Sequence, residues 1–298
     1  MKGRSNKNLK FVFFGTPDVA AETLEILKEN DYLPSLIVTS PDAKKGRGLH
    51  MQASPVAVFA EKNKIACLKP EKFDEEFYNK LKPNCLEPSC LFIVVAYGKI
   101  IPENILNMPK FGSINIHYSL LPKYRGASPV ESAILNGDTE TGVTIQKMIY
   151  KMDAGPIISK EKMAILPNEK APELRTRLIK IGGELLVKIL RTSSASGTSP
   201  FGGGWEEVKQ DESQATYCKK IKKENGFINL DEEPPGVLYN KFRAYASWPR
   251  IFFFKDGKRI IIIDAILENN QFIIKKVLPE GKKEISWDNF LMQGKALH

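Results

Sequence analysis

Asn115 and His117 stand two positions apart in "GSINIHYS", where Ile114, Ile116 and Tyr118 alternate with them. Positions i and i+2 of a strand point to the same face, so the carboxamide and the imidazole share a side. A neutral imidazole accepts a proton near pH 7, and a carboxamide N–H donates to a developing oxyanion. Attack on a carbonyl carbon needs both, together with a carboxylate that orients the histidine. Asp153, in "KMDAGP" after a strand-like segment, is the candidate carboxylate. The residues alone leave two readings open: a catalytic group, or a buried polar pair satisfied by neighbouring backbone. The irregular loop "SLLPKYRGASP" after the strand is where a substrate would lie, and it sharpens the first reading.

Positioning such groups requires strands that end together. "LKFVFFGTPDVAAETLEIL" reads as a strand, a tight turn at Gly15 and a helix in which Ala20, Leu24 and Leu27 recur with helical spacing. The nearly continuous apolar run of its strand fits a strand covered on both faces. "LPSLIVTS", "CLFIVVAYG" and "GSINIHYS" are further strands, with helical stretches around 54–63 and 73–81. This alternation predicts an α/β, doubly wound, mostly parallel sheet, whose ligands sit beyond the carboxyl ends of its strands. "GVTIQKMIYKMDAGPIISKEKMAI" adds two strands around a turn at Asp153-Ala154-Gly155. "APELRTRLIKIGGELLVKILRT" is an amphipathic helix with Leu174, Leu178, Ile181, Leu185 and Ile189 on one side. The Ser- and Gly-rich "SSASGTSPFGGGW" reads as a linker. Beyond it, short strands with turn signals at Asp256-Gly257, Asn269-Asn270 and Pro279-Glu280-Gly281 suggest a small β-barrel. The expected domains are residues 1–192, a linker over 193–215, and 216–298.

Composition narrows the function classes. A chain of 298 residues can hold two cores, and 42% hydrophobic with 27% charged residues suits a soluble globular protein. No apolar run approaches the roughly 20 residues of a membrane span. The apolar run near the start is too short for a secretory signal, so a cytoplasmic protein is expected. The four cysteines form no C-x-x-C pair, and the histidines stand only at 50, 117 and 298, so no metal site is expected. A single Gly15 in "FFGTPD" replaces the G-x-G-x-x-G of dinucleotide sites, so NAD is not expected. The net charge of +9 favours an acidic partner. From Trp205 onward 16 Lys and Arg face 14 Asp and Glu, so the excess lies before that point. "SPDAKKGRGLHMQASP" carries Lys44, Lys45 and Arg47 between glycines; it is either a solvated loop or one that meets a phosphate backbone.

These segments resemble the methionyl-tRNA formyltransferase family of folate-dependent formyltransferases from end to end. "FVFFGTPDVAAETLEIL", "KKGRGLHMQASPV", "VVAYGKIIP" and "INIHYSLLPKYRGASPV" with "MDAGPII" are similar to that family's catalytic domain. "ATYCKKIKKENGFIN", "FRAYASWP" and "PEGKKEISWDNFLMQG" resemble its C-terminal domain. The resemblance implies a Rossmann-like domain followed by an OB-like barrel that binds tRNA. It implies transfer of a formyl group from 10-formyltetrahydrofolate to the methionine of initiator methionyl-tRNA, by a monomer without membrane partners. Asn115, His117 and Asp153 would be the catalytic three. Folate would lie against Val94, Val95, Ala96, Tyr97 and Gly98, and against Ser119, Leu120, Leu121 and Pro122. Lys44, Lys45, Arg47 and Arg125 would meet the tRNA, and we add Lys219, Lys220, Lys222 and Lys223 as phosphate-positioning residues. Two alternatives are a formyltransferase for a small amine and a tRNA-binding protein without catalysis.

Overall fold

A computed structural model describes residues 9–45, 50–85, 90–196 and 207–295. In chain order the strands and helices are β1 (Phe11–Gly15), α1 (Asp18–Glu29), β2 (Leu36–Val38), β3 (Ala43–Lys45), β4 (His50–Gln52), α2 (Pro55–Lys62) and β5 (Cys67–Leu68). Then follow α3 (Glu75–Leu81), β6 (Leu91–Val95), α4 (Glu103–Leu106), β7 (Ser113–His117), β8 (Arg125–Gly126) and α5 (Pro129–Leu135). The long elements β9 (Glu140–Lys147), β10 (Ile157–Ala164) and α6 (Ala171–Ser196) come next. The last are β11 (Tyr217–Cys218), α7 (Pro235–Ala244), β12 (Phe252–Lys255), β13 (Lys258–Glu268), β14 (Gln271–Pro279), β15 (Ile285–Ser286) and α8 (Trp287–Lys295).

Two compact units form. One contains residues 1–125, 142–162 and 177–216; the other contains 126–141, 163–176 and 217–298. The second unit therefore draws segments from both sides of the linker expected over 193–215, and the first unit runs through it to residue 216.

The first unit is built on a seven-stranded sheet in the order β10-β9-β7-β6-β1-β2-β5. β5, β2, β1, β6 and β7 run parallel, and β9 joins β7 antiparallel. All residues of β1 and β6 are buried. Val12, Phe14, Phe92 and Val94 join one core with Val38, Tyr97, Ile101 and Ile105, while Phe11, Phe13, Leu91 and Ile93 are equally buried. Cover on both faces explains why these strands lack alternation. Each such Phe or Leu contributes about 1.5–3 kcal/mol by burial. α6 packs closely through its glycine pair: a Cβ at Gly182 would lie 3.2 Å from Ile116 of β7, and one at Gly183 2.8 Å from Ile26 of α1. The helix buries Leu174, Leu178, Leu185 and Ile189 of the predicted face while Ile181 is half-buried, and it runs four residues past the expected end to Ser196.

The second unit carries a four-stranded sheet in the order β12-β13-β14-β15, antiparallel throughout, where the sequence reading expected a small barrel. Its turns fall where the sequence signals them. Asp256-Gly257 and Asn269-Asn270 take positive φ (50° and 70°, 49° and 59°), the conformation that two-residue hairpins require. α7 buries Leu238, Tyr239 and Phe242. Within the expected linker, Val208 bridges Ile157 through both backbone groups (2.8 and 2.9 Å).

Gly15 shows the strand-to-helix turn to be sterically fixed. A Cβ there would lie 2.6 Å from Ala20 Cβ, 2.7 Å from Phe13 Cε1 and 3.0 Å from the Val95 carbonyl. Overpacking of this kind costs about 1–3 kcal/mol. Gly15→Ala is expected to lower the unfolding free energy by about that amount, read as a lower urea midpoint at an unchanged m-value. A midpoint equal to the wild type would show that the turn relaxes freely.

Candidate active site

Asn115, Ser113 and His117 occupy one face of β7, and the antiparallel register sets Gln146 directly opposite Asn115 and Thr144 opposite His117. Four polar side chains thus share one face at the carboxyl end of β7. Asn115 Nδ2 donates to the Val94 carbonyl (3.0 Å), and its Oδ1 accepts from Gln146 Nε2 (3.4 Å). These two contacts fix which way the carboxamide points. One Nδ2 hydrogen is used by Val94, and the other has no acceptor among the described residues.

His117 is buried, and its Nε2 lies 2.8 Å from the Tyr124 carbonyl. A carbonyl only accepts, so Nε2 carries a proton, and Nδ1 is the nitrogen that the neutral form of the ring leaves bare. That nitrogen faces Asp153 Oδ2 at 3.7 Å, beyond hydrogen-bond range but close enough to stabilise an imidazolium. The sequence reading expected Asp153 to orient the imidazole; the structure gives the orienting contact to the Tyr124 carbonyl.

Asp153 is held in turn by residues the sequence reading passed over. Gln146 Nε2 donates to its Oδ1 (2.9 Å), and Gln210 Nε2 donates to its backbone carbonyl (2.9 Å) and to that of Gly155 (2.7 Å). Asp153 sits at φ 49°, a left-handed conformation that non-glycine residues seldom adopt without support. Gly155 lets the turn close, since a Cβ there would lie 1.7 Å from the Lys147 carbonyl. One signal was available for Gln146: it alternates with Val143, Ile145 and Lys147 as a polar residue inside an apolar strand. Gln210, in a segment read as linker, offered none.

Arg125 is corrected outright. It was expected to meet the incoming substrate, yet it is fully buried. Its Nε and Nη2 donate to Gln210 Oε1 (3.1 and 2.8 Å), and its Nη1 and Nη2 donate to the two carboxylate oxygens of Glu212 (3.1 and 2.8 Å). Residues 207–216 therefore strap the site instead of trailing from it. The strap is pinned at its end by Tyr124 N donating to Thr216 Oγ1 (2.8 Å).

The expected folate segments flank this centre. Thr16 Oγ1 donates to the Tyr97 carbonyl (3.0 Å), and Ala96 (φ 45°) and Gly98 (φ 81°) turn outward and are exposed. Val94, Val95 and Tyr97 are buried, as are Ser119 and Leu121. Leu120 and Pro122 are half-buried. Thr144 Oγ1 ties that loop down, donating to the Ser119 carbonyl (2.7 Å) and accepting from Leu121 N (3.1 Å).

Of the expected tRNA residues, Lys44 is exposed on the β3–β4 hairpin, Lys45 lies in β3, and Arg47 lies outside the described residues. Lys219, Lys220, Lys222 and Lys223 are all exposed in the second unit. Among the described residues no group of His, Cys, Asp and Glu could hold a metal ion, and no helix is long and apolar enough to cross a membrane.

A family model described as formyl transferase matches residues 8–190, and one described as the formyl transferase C-terminal domain matches 220–273. The methionyl-tRNA formyltransferase of Thermotoga sp. (strain RQ2) is 39% identical over 264 residues, covering 87% of this chain and 80% of the relative. That of Dictyoglomus thermophilum is 36% identical over 312 residues, covering 95% and 96%. A solved N-formyltransferase from Helicobacter canadensis, in complex with folinic acid and dTDP-3-aminofucose, shares the fold with a TM-score of 0.63. It is 22% identical, with 88% of each chain covered.

The strap has a pH signature. Hydrogen bonds from Arg125, and then from Lys151, hold the Glu212 carboxyl at about 2, below its ordinary 4.5. A carboxyl lowered by folding contributes stability above its unfolded pKa, and that stability is lost as pH falls toward the folded value. Glu212→Gln is therefore expected to be less stable than wild type near neutral pH. The two should converge as pH falls from 4.5 toward 2. Urea midpoints across that range check this, and parallel curves would remove Glu212 from the account.

Proposed function

The chain belongs to the methionyl-tRNA formyltransferase family, and from that premise we propose that it formylates the α-amino group of methionine on initiator tRNA, drawing on 10-formyltetrahydrofolate. The observation that carries the reading is the convergence of Asn115, His117 and Asp153 at the end of β7. The donor fits the residues present: Ala96 and Gly98 offer exposed backbone on one side, and Leu120 and Pro122 offer partly open apolar surface on the other. When bound there, the folate supplies the formyl carbon.

The chain's own groups then divide the work. The second Nδ2 hydrogen of Asn115 donates to the oxygen that gains charge as the amine attacks. The bare Nδ1 of His117 takes the proton that the amine loses and holds it for return to the leaving nitrogen. Asp153, 3.7 Å away, stabilises the imidazolium in the interval. No covalent enzyme adduct is required. Gln146 is a positioning residue in this scheme, because it joins the Asn115 carboxamide to the Asp153 carboxylate.

The choice of tRNA over a small amine is supported by the family and by the exposed Lys44, Lys219, Lys220, Lys222 and Lys223. Arg47 is proposed as a further backbone contact.

Asn115→Ala is expected to lower kcat about 10²–10³-fold, and His117→Ala about 10²–10⁴-fold, with tRNA affinity unchanged. The measurement is formylation of charged initiator tRNA beside a panel of small amines. Near-normal turnover by His117→Ala, or activity on the small amines alone, would overturn the assignment.

Gln146→Leu keeps volume but removes both donated bonds. It should lower kcat by roughly 10², as misplacement of about 1 Å does, and leave the KM for tRNA in place. Gln146→Glu, which cannot donate to Asp153 when ionised, should not recover activity at neutral pH. Full activity in either variant would reduce Gln146 to a packing residue.

A further inference from the structure

A cavity of about 520 Å³ opens in the second unit between the segment after α7 and strand β13. Its wall includes Lys223, Trp248, Arg250 and Arg259, and it contains no acidic residue. None of the three cations has a carboxylate partner for its side chain among the described residues. Glu280, the acid bonded to Arg259, accepts from the backbone N–H (3.2 Å) and not from the guanidinium. The guanidinium carbon lies over the Phe252 ring, 3.9 Å from its centroid. That contact orients the fork without using its donors, and its buried Nε meets no acceptor.

Two further features mark the wall. Arg250 sits at φ 63°, held there by its N–H donating to the Tyr245 carbonyl (3.0 Å). Gly226 packs beneath it, where a Cβ would lie 2.3 Å from the Arg250 carbonyl. A non-glycine residue kept in that conformation stores strain, and such strain gathers at ligand sites. Trp248, the next wall residue but one, leaves its side chain 54% exposed beside these cations.

Oriented guanidinium donors with no protein acceptor match a phosphate, and an open indole face matches a base. We propose that this cavity takes one nucleotide of the tRNA, its phosphate against Arg250, Arg259 and Lys223 and its base stacked on Trp248. The proposal rests on the tRNA reading above and gives the second unit a defined point of attachment. An acidic peptide would meet the cations but leave the indole without a planar partner.

The test measures binding of initiator tRNA to the full chain by fluorescence anisotropy over a range of salt, beside formylation kinetics. Arg259→Gln should weaken binding and lower the salt slope by about 0.7–0.9, the value of one phosphate. Trp248→Ala should weaken binding about 5- to 150-fold, and Trp248→Phe should restore most of it by keeping an aromatic face. Each loss should appear as a raised KM for tRNA at unchanged kcat. Wild-type affinity and slope in both Arg259→Gln and Trp248→Ala, with formylation intact, would overturn the proposal and leave the assigned reaction standing. Displacement of the tRNA by AMP near the tRNA's own Kd would also overturn it, by making the cavity a mononucleotide site. A wild type that neither binds nor formylates tRNA would overturn the underlying reading itself.

Discussion

Burial of the Arg125 guanidinium is the constraint on which the site depends. A desolvated cation is costly unless it is paired and its hydrogen bonds are met, and here its partners arrive from more than eighty positions away in sequence. Gln210 and Glu212 can reach it only if residues 207–216 return across the first unit. Once they do, Gln210 has its oxygen fixed by Arg125 and its amide nitrogen committed to the carbonyls of Asp153 and Gly155. The turn that presents the carboxylate is thus stabilised by a residue that touches no reacting atom. Glu212 is half-exposed and also binds Lys151 (2.8 Å), so the charge compensation reaches solvent and does not require a wholly buried ion pair.

The second constraint is register. A parallel strand next to β7 would need a crossover, whereas β9 runs antiparallel and faces Asn115 with Gln146 and His117 with Thr144. A slip of β9 by one residue would turn Gln146 and Thr144 to the other face of the sheet, away from Asn115 and His117. The apolar partners Ile114, Ile116, Val143 and Ile145 prevent that slip because they are buried on the opposite face. Packing of the hydrophobic face therefore sets the geometry of the polar one.

Much of this was legible in the sequence. The alternating strands and helices, the Gly15 turn, the hairpin turns of the second unit and the Asn115–His117–Asp153 set all follow from local patterns. What was not legible depends on partners distant in sequence. Arg125 in "YRG" resembles a substrate contact when read locally, and only the return of the strap shows it to be buried. Residues after the Ser/Gly run share the polar composition of a linker, and composition does not reveal that Gln210 and Glu212 are held by a cation elsewhere. The small barrel was inferred from strand spacing, which predicts hairpins but does not determine whether the sheet closes.

Net charge is a poor guide for a related reason. From Trp205 onward 16 cations nearly balance 14 acids. Pairing, not number, decides what a polyanion meets. Near the site of the first unit the cations are taken up: Arg125 and Lys151 by Glu212, and Lys147 by Glu207. In the second unit Lys241 pairs with Glu233 and Lys276 with Glu284, which removes acids as well as bases from play. Lys219, Lys220, Lys222 and Lys223 stay exposed, and Arg250 and Arg259 keep guanidinium donors without protein acceptors among the described residues. An unpaired cation attracts phosphate through counterion release whatever the sum over its domain. Of the acids in that total, Glu207, Glu212, Glu233 and Glu284 pair with cations, so the sum over the segment does not say which cations a phosphate would meet.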